Sequence, residues 1–114
     1  MIARKNRFHG YGSLKYVYKN GKVVRGPLCA IKFTPNTKRQ EYRLAVVVSK
    51  KVHKSAVVRN RIRRRLYEAV RLQASDIHTP HDIVITVFYE QIASLPPEEL
   101  ATLVRAQLKQ AHII

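Results

Sequence analysis

Ser49-Lys50-Lys51-Val52-His53-Lys54-Ser55-Ala56-Val57-Val58-Arg59-Asn60-Arg61-Ile62-Arg63-Arg64-Arg65-Leu66-Tyr67-Glu68 is the stretch that decides the fold. It leaves an apolar strand, crosses a lysine-bearing loop and enters a helix with arginines in its first turns. At about 100° per residue, Val58, Ile62, Leu66 and Ala69 fall close to one direction, with Val70 at the edge of the stripe. Asn60, Arg64, Tyr67 and Arg71 lie roughly opposite, with Arg63 beside them. Arg61 and Arg65 line one flank and Arg59 the other. The wheel therefore predicts one stripe buried against a sheet and the remaining guanidinium groups turned to solvent. Glu68 stands i+4 from Arg64 and i+3 from Arg65, so it is expected to pair with one of them.

Working outward, the helix is expected over about Ala56–Ala74. Tyr42–Ser49 before it is a near-continuous apolar run, expected to be a central strand. Leu28–Phe33 is an earlier strand, and Gly26-Pro27 interrupts the apolar run that precedes it. Pro35-Asn36-Thr37-Lys38-Arg39-Gln40 is a polar loop of hairpin length, so these two strands are expected to pair antiparallel. An extra short strand is possible near Val23–Arg25. Asp82–Tyr89, apolar on both faces, is the last strand, and the long helix before it allows a parallel crossover. His78-Thr79-Pro80-His81 belongs to the connection. Leu95-Pro96-Pro97-Glu98-Glu99 starts the final helix, with proline and acids where the first turn favours them. At the front, Phe8 is expected to anchor a loose segment. Ser13 caps a helix of about Leu14–Asn20, and Gly21 follows where a positive φ is wanted. The element order is α-β-β-α-β-α: an α+β sandwich, a small mixed sheet packed by helices, in a single domain over residues 1–114.

Composition narrows the partner. Twenty-two Lys and Arg against seven Asp and Glu give a net charge of +15 over 114 residues. A folded domain with that excess repels itself unless a polyanion neutralises it. Nucleic acid is the first candidate and an anionic membrane the second, less favoured because no bulky apolar face accompanies the basic segments. No apolar run reaches membrane-spanning length, Cys29 is the only cysteine, and the N-terminus lacks a secretory pattern. The expectation is a cytoplasmic protein without a membrane partner.

Five arginines lie between Arg59 and Arg65 with no acid among them, an arrangement that like-charge repulsion disfavours without an anion. Guanidinium forks bind phosphate bidentately and stack on bases, and Asn60 is suited to a base edge or ribose hydroxyl. Lys50, Lys51 and Lys54 precede the helix N-terminus, which itself favours phosphate. Leu14, Val17 and Tyr18 share a helix face, read first as core and second as a surface for stacking a single-stranded base. The carboxylates are scattered, His78 and His81 lack companions for zinc, and no catalytic constellation is present. A stand-alone nuclease is therefore disfavoured. A ribosomal or other structural RNA-binding protein, or a DNA-binding helix, shares these features and stays open at this point.

From Val48 through Arg64 the chain resembles the bacterial ribonuclease P protein component. That family's pattern is Ser-Lys-Lys, a short spacer, Ala-Val, then Arg-Asn-Arg followed by further basic residues. The resemblance extends to Arg7-Phe8, the Leu14/Val17/Tyr18 helix ending in Gly21-Lys22, Arg43 and Asp82. It implies a sandwich like the second domain of ribosomal protein S5, with a left-handed βαβ crossover. It implies a protein subunit that binds the catalytic RNA and the 5′ leader of precursor tRNA. Cleavage is then RNA-catalysed, with Mg²⁺ bound mainly by the RNA subunit and substrate, and one protein serves each RNA. The implied RNA-binding set is Lys50, Lys51, Lys54, Arg59, Asn60, Arg61, Arg63, Arg64, Arg65 and Arg71. The implied leader cleft holds Leu14, Tyr18, Lys32 and Phe88. Four positions depart from the family's usual residues: Leu14 for Phe, Ala45 for Gly, Tyr67 for Arg and Phe88 for Arg.

Overall fold

Ile83, Val84 and Ile85 are all fully buried, because β4 (His81–Val87) lies inside the sheet with apolar side chains on both faces. A computed structural model describes Asn6 and residues 11–114. The chain runs α1 (Tyr11–Asn20), β1 (Lys22–Arg25), β2 (Cys29–Pro35), β3 (Arg43–Val47), α2 (Ala56–Arg71), β4, then α3 (Pro97–Gln110). Short 3₁₀ turns, Ala74–Asp76 and Glu90–Ala93, follow α2 and β4.

The sheet order is β1-β2-β4-β3. β1 and β2 form a hairpin across Gly26-Pro27-Leu28, so the extra strand is real. β4 pairs antiparallel with β2 and parallel with β3. The parallel crossover through α2 is thus as expected, but the β2–β3 hairpin is not formed. β4 stands between those two strands, and the 36–42 loop passes around its start, where the Asn36 N–H donates to Pro80 O at 2.9 Å. β3 is correspondingly an edge strand, not a central one. Its apolar run reflects helices over both faces: Leu44 and Val46 pack toward α2, and Ala45 meets Val17 of α1.

The larger core lies on one face, where Ile31, Leu44, Ile83 and Ile85 meet Ile62 and Leu66 of α2 and Val104 and Leu108 of α3. The smaller core on the other face is Val17, Ala45 and Val84. Arg43 and Asp82 are register partners on that second face. Arg43 Nε and Nη2 donate to the two Asp82 oxygens at 2.8 and 2.7 Å, and the Asn36 amide adds a third bond at 3.0 Å. The bonded carboxylate pushes the Arg43 pKa up from its usual value, against the opposing effect of burial.

Several boundaries differ from the sequence reading: β2 spans Cys29–Pro35, β3 only Arg43–Val47, and β4 stops at Val87 short of Tyr89. α1 begins at Tyr11, so Ser13 lies inside it and is not its cap. α2 ends at Arg71, where Leu72 and Gln73 turn the chain into the first 3₁₀ turn. His81 is the first residue of β4 and is buried against Phe33, its ring centroid 6.2 Å away. Gly21 does not adopt the positive φ expected of it. Its constraint is space: a Cβ there would sit 2.6 Å from Val17 O and 2.9 Å from Phe33 O, where α1 folds back on β2. The positive φ falls instead on His112, at 58°, just past α3. There His112 N–H donates to Lys109 O and Ile113 N–H to Leu108 O, closing the helix and burying Ile113. Phe8 lies outside the described residues, while Asn6 is buried and donates to Tyr42 O at 2.8 Å.

Candidate nucleic-acid interface

The lysine loop is held by backbone contacts, so its ammonium groups stay free. Val52 N–H closes a turn on Ser49 O at 3.0 Å, and Ser55 N–H donates to His53 Nδ1 at 3.0 Å. Ser55 caps α2 by accepting from Val58 N–H at 3.4 Å. Arg59 folds back over the loop and donates to His53 O at 3.0 Å and Lys54 O at 2.8 Å. Lys50, Lys51 and Lys54 are exposed around the helix N-terminus. With the α2 amides, they form a cationic end suited to phosphate.

The arginines of α2 divide into two groups. Arg61 Nε donates to Ala93 O at 3.0 Å. Arg65 donates to Ile92 O at 2.6 Å and also to Leu95 O. These two side chains do not project freely from a solvated flank. They pin the Glu90–Ala93 turn to the helix, and burial together with the nearby Arg61 lowers the Arg65 pKa from its ordinary value. Arg63 donates to Asn60 Oδ1 at 2.6 Å and reaches Val48 O at 3.4 Å. The Asn60 carbonyl is thereby occupied, and the exposed side chain keeps its N–H donors for an acceptor on a partner. Arg64 is exposed and has no partner among the described residues. Arg71, at the far end, is exposed and pairs with Glu68. Glu68 therefore bridges forward to Arg71, not back to Arg64 or Arg65, and the Arg71 hydrogen bond holds its carboxyl below the usual range. Tyr67 is half-buried against the core and does not share the solvent face of Arg64. Val57, 73% exposed, completes a ridge with Asn60, Arg61 and Arg64. Sequence reading did not single out Val57, although its i, i+3, i+4, i+7 spacing with those residues was the available signal.

This division gives a direct test. Arg65→Ala is expected to lower unfolding stability by about 2 kcal/mol, since it strands two backbone carbonyls. Arg64→Ala is expected to change stability by less than about 0.5 kcal/mol. Urea unfolding of both variants checks the contrast, and equal losses would show that Arg65 is not a staple.

A second basic surface lies on the sheet face that carries the smaller core. α1 covers part of it, burying Val17, while Leu14 is half-buried and Tyr18 is 43% exposed. The shared face predicted for Leu14, Val17 and Tyr18 is thus core at Val17 and surface at Tyr18. Lys32 bonds Tyr18 O, and its ammonium lies 5.7 Å from the centroid of the Tyr18 ring. Beside it Val23 is 55% exposed. Phe88 lies at the end of β4 on the same side, half-buried under Arg25. By strand alternation, Asp82 is the one acid on this face of the four strands, and Arg43 neutralises it. The open face meets the lysine loop, because Val47 is the register partner of Thr86 and the loop departs immediately after it. The four positions predicted for the cleft are therefore brought to one side of the sheet. Lys50, Lys51 and Lys54 follow in the loop after β3, and Asn60 and Arg64 lie on α2, which packs on the opposite face.

Four of the seven carboxylates face a cationic group or an imidazole. Asp82 is tied to Arg43, Glu68 to Arg71, Asp76 to Arg105 and Glu90 to His53. No group of three or more His, Cys, Asp or Glu converges among the described residues. His81 Nδ1 lies 2.6 Å from Thr79 O, and the ring is not paired with the exposed His78. Burial pushes the Cys29 thiol up to about 11, so it stays protonated and inert at neutral pH. No helix among the described residues is long and apolar enough to cross a membrane.

A sequence model of the Ribonuclease P family matches residues 2–112. A ribonuclease P protein component of Pseudanabaena is 32% identical over 115 residues, covering 100% of this chain and 97% of its own. One from Chloroflexus aurantiacus is 33% identical, over 99% of this chain and 82% of its own. Among solved structures, the RNase P protein of Staphylococcus aureus superposes with a TM-score of 0.82 at 24% identity, over 95% and 96% of the two chains. That of Thermotoga maritima gives 0.79 at 23% identity, over 91% and 96%. These structures carry the same mixed α+β fold.

Proposed function

Because the chain belongs to the ribonuclease P protein family, as the accessory protein of an endoribonuclease that processes tRNA, we propose how its two basic surfaces divide the work. The lysine loop and the exposed ridge of α2 bind the catalytic RNA. The open sheet face, with Tyr18 and Lys32, binds the single-stranded 5′ leader of precursor tRNA. The observation that supports this division is the junction at Val47–Val48, where the open face runs directly into the lysine loop. A strand on the face is thereby delivered to the loop that grips the RNA. One protein serves each catalytic RNA.

The protein contributes binding and placement. Cleavage needs Mg²⁺, held mainly by the phosphates of the RNA subunit and substrate. Lys50, Lys51, Lys54 and Arg64 lower the repulsion between catalytic RNA and substrate, a task that Mg²⁺ shares. Adding the protein to the catalytic RNA is therefore expected to restore precursor tRNA cleavage at Mg²⁺ concentrations where the RNA alone is slow. Cleavage rates across a Mg²⁺ titration, with and without the protein, check this. Unchanged rates at low Mg²⁺ would sink the assignment of both surfaces.

A further inference from the structure

Arg25 ends β1 on the open face, and its guanidinium lies 4.9 Å from the centroid of the Phe88 ring. Phe88 continues β4 beyond Val87 and is fixed by its own N–H, which donates to Leu28 O at 2.9 Å. The register fixes what surrounds this stack. Arg25 is the partner of Ala30, and Ala30 is the partner of Thr86. Two residues along β2, Lys32 is the partner of Val23 and makes the second cation–aromatic contact, with Tyr18. Arg25 and Lys32 are thus two register positions apart on neighbouring strands, and Phe88 lies further along, level with Leu28. Ala30, 7% exposed, keeps the floor low.

Two features separate Arg25 from an ordinary surface arginine. It is exposed yet has no acid or carbonyl partner among the described residues. The ring contact restrains the guanidinium, so less side-chain freedom is lost when an anion binds. The fork geometry of its N–H groups lets phosphate oxygens accept two of them.

We infer that Arg25, seated on Phe88, binds a phosphate of single-stranded RNA that crosses the open face beyond the Lys32–Tyr18 contact, with Ala30 and Thr86 beneath it. The inference rests on the leader-binding reading above and adds a second contact point to it. Phe88 acts as a positioning residue: it orders the guanidinium.

The test uses holoenzyme assembled from this protein and its catalytic RNA, with two substrates: precursor tRNA carrying a leader several nucleotides long, and mature tRNA. Arg25→Ala is expected to weaken precursor binding about tenfold. Binding of mature tRNA, and of the catalytic RNA to the free protein, should not change. The log–log salt slope for the precursor should fall by about 0.7, the value for one phosphate contact on a single strand. Arg25→Lys keeps the charge, so the slope should hold while affinity falls part of the way. Phe88→Leu should resemble Arg25→Lys in affinity and slope. If Arg25→Ala weakens precursor and mature tRNA equally, the residue supplies only general charge and the inference is wrong. If Tyr18→Ala and Lys32→Ala reduce the preference for precursor and Arg25→Ala does not, the leader reading stands and the second contact point is lost. If none of the three changes that preference, the leader reading itself falls.

Discussion

Asp82→Ala is expected to remove about 3–5 kcal/mol of unfolding stability, enough to consume much of what a domain of this size has. The side chains of Asp82 and Arg43 are only 7% and 11% exposed, and they bond through both carboxylate oxygens. Removing the acid takes both of these acceptors from a buried guanidinium and leaves the Asn36 amide without this acceptor. The loss should be insensitive to salt, because buried pairs are weakly screened. Replacing both partners by apolar residues of similar size, Arg43→Met with Asp82→Leu, should recover most of the stability. Urea midpoints for the three chains decide it. A loss below about 1 kcal/mol for Asp82→Ala would mean that the pair is not shielded as described.

The largest expected effect on binding comes from Lys50, Lys51, Lys54 and Arg64 changed together to alanine. Each side chain is exposed and has no partner among the described residues, so each is available to a phosphate. Loss of four phosphate contacts should lower the log–log salt slope for the catalytic RNA by roughly 3–4 and weaken affinity about a hundredfold or more near physiological salt. Stability should hold or rise slightly, since repulsion at the positive end of α2 is relieved. The matching change of Arg61 and Arg65 should do the reverse, costing stability first. An unaltered salt slope in the fourfold variant would remove the loop and ridge from the RNA contact.

The periodicity of α2, β4 and α3 was legible in the sequence because each element buries a stripe or two faces against one core. Strand order was not. A seven-residue loop between β2 and β3 is compatible with a hairpin, and nothing local says that residues 81–87 will enter between them. The same limit holds in the site. A helical wheel gives the direction of Arg61 and Arg65, but not the carbonyls of Ala93, Ile92 and Leu95 that occupy that direction. Glu68 had cations within reach on both sides, and the wheel could not choose Arg71. Phe88 read as a positive charge missing from the cleft. In three dimensions Arg25, far away in the chain, places a guanidinium over that ring.

The position of β4 also sets the order in which the protein can assemble. Cys29 waits for Val87, and Arg43 waits for Asp82, before either flanking strand has its central neighbour. Until residues 81–87 leave the ribosome, the chain can form the β1–β2 hairpin and an isolated basic helix, but no four-stranded sheet. Contacts of such long sequence separation slow folding, because the loop must close before the pairing rewards it. During synthesis, the arginine helix is therefore exposed to cellular RNA before the scaffold that orients it exists. The late central strand is the step that turns a sticky cationic segment into a selective one.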